Sequence, residues 1–498
     1  MTVATQSPPL DRLRALLAQL ADLNHAAQVL DWDSRVSMPH RGAHARADAT
    51  GTLTRLAHDL LVADATGELL DELRPLEEER EHDSVDGALI RLTRRIFDRE
   101  RRVPGELAAE MSRTSAIAVA AWDEAKAASD FQAFVPHLER QLELKHRYIE
   151  CFPPRENAYD VLLDEYEEGM TAAQVAAVFD TLKQTLVPLV ESLRGRQDDA
   201  ELLQGPFPIA GQKRACAHIL DAFGVAAGEW RLDETPHPFA SNPGVGDIRL
   251  TTAYDERDLN SLFSTMHEFG HGVYEWGIDR AFARTPLDQG TSGAVHESQS
   301  RTWENLVGRS RGFWRWFYPQ LQPIFRDALG HVDEERFVSA INAVRPGLIR
   351  IDADEVTYGL HVILRFEIER QLLDGRLAVS ELPEAWNARA GELLRVEARD
   401  DAHGVLQDMH WAIGLIGYFP TYQLGNVMSV QIWRRAEQEL GHLEEQFARG
   451  EFAPLRDWLR ENVYRFGSMY PPRELLRRVT GGELDPHPYL EYLTTKFR

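Results

Sequence analysis

Apolar side chains recur at helical spacing along most of this chain. From Leu10 they run Leu10, Leu13, Leu16, Leu17, Leu20 and Leu23, the three-and-four spacing of one helix face. Pro8 and Pro9 stand just before this run and Asp11 lies in its first turn, which marks a helix start. The same texture returns near 52–76, 86–100, 105–128, 131–151 and 172–195. Strand-like alternation is almost absent. The exception is Asp247–Thr252, where Ile248, Leu250 and Thr252 alternate with polar neighbours and predict a short edge strand. The segments 196–212, 233–246 and 285–293 are punctuated by Gly and Pro and predict loops rather than interdomain linkers. The pattern therefore predicts one large helical unit. Its N-terminal helical half, about 1–195, covers a catalytic C-terminal half, about 230–498, and the two are not independent domains.

Composition narrows the function classes. The 498 residues are 43% hydrophobic, ample for a large core. Against 55 Lys and Arg stand 79 Asp and Glu, a net charge of −24. That field repels nucleic acid and anionic membranes, so neither is an expected partner. The two cysteines, Cys151 and Cys216, exclude a disulfide scaffold. The longest uncharged apolar run, Trp411 to Phe419, is about half of a membrane span. The first residues lack a basic start followed by an apolar core, so no signal peptide is expected and a cytoplasmic location is the default.

The sharpest chemical feature is His267-Glu268-Phe-Gly-His271. On a helix, residues four apart share a face, so both imidazoles can reach one metal ion while the intervening Glu reaches a water activated by it. Leu259, Leu262, Phe263, Met266, Gly270, Val273 and Tyr274 form an apolar stripe around the motif, with the histidines on its flank. Glu268 is the candidate general base, taking a proton from the attacking water and returning it to the leaving amine.

A third ligand is not local. A metzincin would need Gly at 274 and His at 277, where the chain has Tyr274 and Gly277. Glu275 lies eight residues from His267, roughly 12 Å along a helix, too far to share an ion. The next candidate is Glu297 in His296-Glu-Ser-Gln-Ser300, after a loop whose Thr291 or Ser292 can cap a helix. Glu297 would complete a two-His, one-Glu set with an open fourth position. The same carboxylate is also placed to pair with Arg301, four residues on. Glu304, seven residues after Glu297, shares its stripe and can hydrogen-bond a ligating histidine.

These residues resemble the carboxypeptidase Taq family of metallocarboxypeptidases. His267-Glu-Phe-Gly-His271 and His296-Glu-Ser-Gln-Ser300 carry the resemblance. Five further signatures agree in order and spacing: His237-Pro-Phe239; Asp247-Ile-Arg249-Leu-Thr251; Ile349-Arg350-Ile-Asp-Ala353-Asp354; Gly404-Val-Leu-Gln407-Asp408-Met-His410-Trp411; and Tyr418-Phe-Pro420-Thr-Tyr422-Gln-Leu-Gly425. Trp32-Asp33, Met38-Pro39 and Tyr489-Leu-Glu-Tyr492-Leu493 fit as well, while Ser34-Arg35-Val36 departs from the usual Gln-Glu-Thr.

The resemblance implies an all-α fold with a deep groove, a zincin-like metal helix and a small hairpin or sheet beside it. It implies a homodimer and one divalent ion per chain on His267, His271 and Glu297; two His and one Glu suit zinc, with cobalt or manganese as alternatives. It implies release of single amino acids, with broad specificity, from peptides with a free C-terminus. Arg350 is the candidate anchor for the terminal carboxylate, or else the ion-pair partner of Asp352 or Asp354. His410 and Tyr422 are candidate oxyanion donors, with Tyr418 as the alternative tyrosine. Gln407 and Asp408 are placed to orient His410. Arg249 and Tyr418 join Arg350 as substrate contacts, and the strand at 247–252 offers an edge to an extended peptide. Two other functions stay open: an endo-oligopeptidase of the thimet type, and a catalytically inactive peptide-binding protein.

Overall fold

A computed structural model describes residues 8–195, 199–203, 205–225 and 227–498. It is built from helices, with one three-stranded sheet among the described residues. The Leu10 run lies in the helix Pro8–Val36, where Leu10, Leu13, Leu17 and Leu20 are buried. The later periodic segments form the helices Ala43–Leu61, Asp64–Glu72, Val85–Arg102, Gly105–Ala128, Phe131–Glu150 and Ala172–Leu193. Thr171 and Gln174 cap the last of these reciprocally. Buried apolar side chains form one continuous core from Leu10 to Leu493. No helix among the described residues is long and apolar enough to cross a membrane.

The sheet corrects the strand expectation. Strand β1 is Trp230–Glu234, β2 is Ala240–Gly244 and β3 is Asp247–Thr252. Their spatial order is β1-β3-β2, so 247–252 is the central strand and not an edge. It pairs in parallel with β1 (Leu232 opposite Leu250) and antiparallel with β2 (Ser241 opposite Arg249). The edges are β1 and β2, and the Ser-Asn-Pro-Gly sequence of β2 is poor in strand formers and reads as a loop. Proline is tolerated there because an edge residue needs no second partner for its nitrogen.

Three helices build the centre of the molecule, one of them packed on the sheet. The motif helix Asn260–Gly277 lies on β3. The helix Gly293–Arg301 crosses it, and the helix Pro420–Leu440 packs on the far side of that second helix. Glycines permit these crossings. A Cβ on Gly270 would stand 2.5 Å from the Gln299 carbonyl oxygen and the Ser300 Cα, and one on Gly425 would stand 2.6 Å from the Glu297 Cβ. Backbone cannot yield as a flexible side chain can. Gly270→Ala is therefore expected to cost about 1–3 kcal/mol or more in chemical unfolding and to misplace the neighbouring histidines. Unchanged unfolding of that variant would contradict the tight crossing.

Candidate metal centre and groove

The motif helix forms where its apolar stripe predicts: Leu259, Leu262, Met266, Val273 and Tyr274 are all buried. That stripe fixes the helix on the core and turns His267, Glu268 and His271 toward a groove of about 1230 Å³. Ser292 caps the crossing helix by accepting from the Val295 N–H. The buried Glu167 carboxylate adds acceptors for the Ser292 hydroxyl (3.2 Å) and the Ala294 N–H (3.1 Å). This capped end presents Glu297 to the histidines.

The structure brings His267, His271 and Glu297 together from two helices. One Glu297 oxygen, Oε2, lies 3.8 Å from His267 Nε2 and 3.6 Å from His271 Nε2. Its other oxygen, Oε1, accepts from Arg301 Nε at 2.7 Å. One Glu297 oxygen thus faces the two histidines and the other the Arg301 guanidinium. Ligand atoms held near 2.1 Å from a tetrahedral ion are about 3.4 Å apart, close to the observed spacings. Two imidazole nitrogens and one carboxylate, with a groove on the open side, fit a divalent ion. A second cluster, His82, Asp83 and Glu474, has donor atoms within similar reach but is mostly exposed and shares its carboxylates with Arg478.

Hydrogen bonds fix the two histidines from behind. His267 Nδ1 lies 2.8 Å from Glu304 Oε2, in the π-helical turn Thr302–Val307, and Arg301 Nη1 donates to that oxygen at 3.0 Å. The Arg301 guanidinium stacks over Tyr358, 4.2 Å from the ring centre. His271 is held by a residue whose partnership sequence reasoning missed: its Nδ1 lies 2.7 Å from Nδ1 of His296, whose Nε2 lies 2.6 Å from Glu275 Oε1. In the sequence, His296 stands out only as the first residue of the His296-Glu-Ser-Gln-Ser300 motif and Glu275 only as a ligand too distant from His267; neither signal points to this contact.

Burial and these partners set the electrostatics. Burial lowers His271 well below the usual histidine range, and the neighbouring imidazoles add to this. Burial alone would lower His267 too, but the Glu297 and Glu304 carboxylates outweigh it and raise the pKa. Glu304 is held near 2 because Arg301 and His267 overcome its burial. Glu268, only 6% exposed, is pushed up to about 7 by burial, with Glu297 adding to the shift.

On the facing wall, Tyr418 and Tyr422 line the groove. Their rings meet edge to face at 5.1 Å. His410 stands behind them, its Nε2 3.1 Å from the Tyr422 hydroxyl. Burial lowers His410 to about 3, and the nearby Arg350 reinforces this. Arg350 is buried; its Nη2 and Nε donate to Asp408 Oδ1 at 2.8 and 3.1 Å, and its Nη1 to the Tyr358 hydroxyl at 3.2 Å. Neither Asp352 nor Asp354 pairs with it. Asp354 instead accepts the Val356 and Thr357 N–H groups at a helix start. Arg365 Nε donates to the other Asp408 oxygen at 2.7 Å. Gln407 accepts the Arg350 backbone N–H at 2.9 Å.

Arg249 lies on β3, away from the groove lining, forked onto Asp247 at 2.8 and 2.7 Å. Its guanidinium and that of Arg231 both stack on Trp32, 4.6 and 4.5 Å from the ring centre, fastening the first helix to the sheet. Ala240, Ser241 and Asn242 of β2 line the groove. The thiols of Cys151 and Cys216 are unpaired.

Known proteins resemble this chain over nearly its whole length. The model of the carboxypeptidase Taq (M32) metallopeptidase family matches residues 12–497. Thermostable carboxypeptidase 1 of Thermus thermophilus is 41% identical over 494 residues, covering 96% of each chain. The crystal structure of an M32 carboxypeptidase from Deinococcus radiodurans superposes with a TM-score of 0.94 at 39% identity, covering 99% of each chain. A Pyrococcus furiosus carboxypeptidase structure gives 0.96 at 36% identity, with the same coverage. These matches favour neither an endo-oligopeptidase nor an inactive peptide-binding protein. A groove floored by a two-histidine, one-carboxylate cluster, on a chain matched almost end to end, leads to one conclusion: the protein belongs to the carboxypeptidase Taq (M32) family and is a metal-dependent carboxypeptidase.

Proposed function

We propose that the enzyme releases single amino acids, with broad specificity, from the free carboxyl ends of peptides at the groove floor around His267, His271 and Glu297. The observation that carries this reading is the convergence of those three side chains beside the buried Glu268. They hold one divalent ion, zinc by the chemistry of the donor set. When bound, such an ion polarises the scissile carbonyl and acidifies water. Glu268 takes the proton of the attacking water and delivers it to the leaving amine. Tyr422, backed by His410, donates to the oxygen on which charge develops, and Tyr418 lines the same wall as a substrate contact. The extended peptide lies along β2, whose free edge supplies backbone partners. Arg249 contributes by bracing the sheet behind that edge.

The terminal carboxylate is held by Arg350. Its neighbourhood supports this: Arg350 and Arg365 share the Asp408 carboxylate just behind the groove lining, with Glu369 the next acidic group near Arg365, so Arg350 has no carboxylate to itself. A substrate carboxylate would supply one. A free-acid peptide is then expected to be cleaved far faster than its amidated twin, with single amino acids as the first products. Arg350→Ala leaves Asp408 paired with Arg365. It should slow cleavage of the free acid roughly 10- to 100-fold, the worth of a hydrogen bond to a charged group (about 1.5–3 kcal/mol), and barely change the amide. Internal fragments early in the time course, with no effect of amidation, would reject this reading.

The unbroken core from Leu10 to Leu493 supports treating the chain as one unit whose first 195 residues or so wall the groove. A cytoplasmic location and, on the strength of the family resemblance, a homodimer complete the proposal. Light scattering that gives the mass of one chain would remove the dimer from it.

A further inference from the structure

The contacts behind His271 form a chain whose protons can be placed one by one. Glu275 as a carboxylate only accepts. Its Oε1 receives the Gly290 N–H at 3.0 Å and lies 2.6 Å from His296 Nε2, so that nitrogen carries the hydrogen. Two rings in Nδ1–Nδ1 contact cannot both donate, and an ion on His271 Nε2 requires that ring's hydrogen on Nδ1, so His296 serves here as the acceptor, with its single N–H on Nε2. His296 Nδ1 is therefore bare and accepts across the 2.7 Å contact from Nδ1 of His271. With its hydrogen on Nδ1, His271 presents a lone pair at Nε2, the atom that faces Glu297. The other motif histidine reaches the same tautomer by a shorter route, its Nδ1 directly on Glu304.

We infer that His296 and Glu275 are positioning residues, with His296 relaying the charge of Glu275 to His271 and locking the tautomer that can bind the ion. The inference rests on the ligand set proposed above. It assigns a task to two groove residues that touch neither ion nor substrate in that reading. It also makes the two motif histidines unequal: one leans on a carboxylate directly, the other through a second imidazole. His296 needs both ring nitrogens for this, one accepting and one donating, so an aromatic ring of the same outline cannot replace it. A glutamine offers an acceptor and a donor at about the same separation.

The test is retention of zinc by the full-length protein against a competing chelator, for wild type, His296→Phe, His296→Gln, Glu275→Gln and His267→Ala. His296→Phe is expected to weaken retention about 10- to 100-fold, the usual effect of losing a partner behind a ligand. His296→Gln should recover most of that loss, and Glu275→Gln should fall between the two. Metal-free melting temperatures matching metal-free wild type would place the effect at the ion and not in the fold. Should His296→Phe fold poorly, the Gln variants at 296 and 275 decide the matter alone. Retention by His296→Phe within twofold of wild type, or a His296→Gln variant no better than His296→Phe, overturns the inference. If His267→Ala also keeps its zinc, the ligand set itself is wrong. If only His267→Ala loses it, the ligand set stands and the relay falls.

Discussion

Glu268→Gln is expected to keep its metal ion and to turn peptides over on the order of 10² to 10⁴ times more slowly, the range lost with an acid–base group. The substitution preserves shape and leaves His267, His271 and Glu297 untouched, so the ion has no reason to leave. What disappears is the ability to accept a proton. The Glu268 carboxyl is 6% exposed and its pKa is pushed up to about 7 by burial. A base with a pKa near the working pH combines the right protonation state with the drive to move a proton. An amide at the same place has neither. Metal content measured beside the steady-state rate checks both halves, and near wild-type turnover in this variant would reject Glu268 as the base.

Removing a ligand should act earlier, on the ion itself. His267→Ala, His271→Ala and Glu297→Gln each delete one of three protein donors. Losing a partner behind a ligand already costs about 10- to 100-fold in affinity, so losing the ligand should cost more than about 100-fold. Glu297→Gln is the most informative of the three. Its amide oxygen can still accept from Arg301, so the crossing helix keeps its internal bond while the charge facing the histidines is gone. Ligating nitrogens must be unprotonated; the carboxylates beside His267 raise its pKa while burial keeps His271 neutral, so retention should start to fall on the alkaline side of the usual histidine range, as His267 takes up a proton. Dialysis against a chelator followed by metal analysis reads these effects. A Glu297→Gln variant with one ion per chain and full activity would mean that the third ligand lies elsewhere.

The parts of the site that were legible in sequence are those set by one helix. The four-residue spacing of His267 and His271 and their apolar stripe both follow from helical period, whereas Glu304 reaches His267 from a π-helical turn, Thr302–Val307, that this period does not describe. Contacts made by tertiary crossing were not legible. His271 and His296 are 25 residues apart, and their ring contact depends on Gly270 letting two helices touch. Arg350 had two carboxylates close by in sequence, yet its partner is Asp408, 58 residues away, because a buried guanidinium pairs with what the fold brings to it. Strand β2 was invisible for a different reason. Its Ser-Asn-Pro-Gly composition opposes strand formation, and pairing with β3 along one side overrides that preference. The edge position of 247–252 was misread for the same cause, since β3 becomes central only once β2 exists.

The central claim is that one divalent ion at the groove floor drives removal of C-terminal residues. Stoichiometric reconstitution tests it most directly. Metal-free protein would receive zinc in increments, with release of amino acids from a peptide bearing a free carboxyl terminus followed after each addition. Activity should start near zero, rise in proportion to added metal and break sharply at one ion per chain. Full activity before any metal is added, or a rise with no break near one equivalent, would contradict the account.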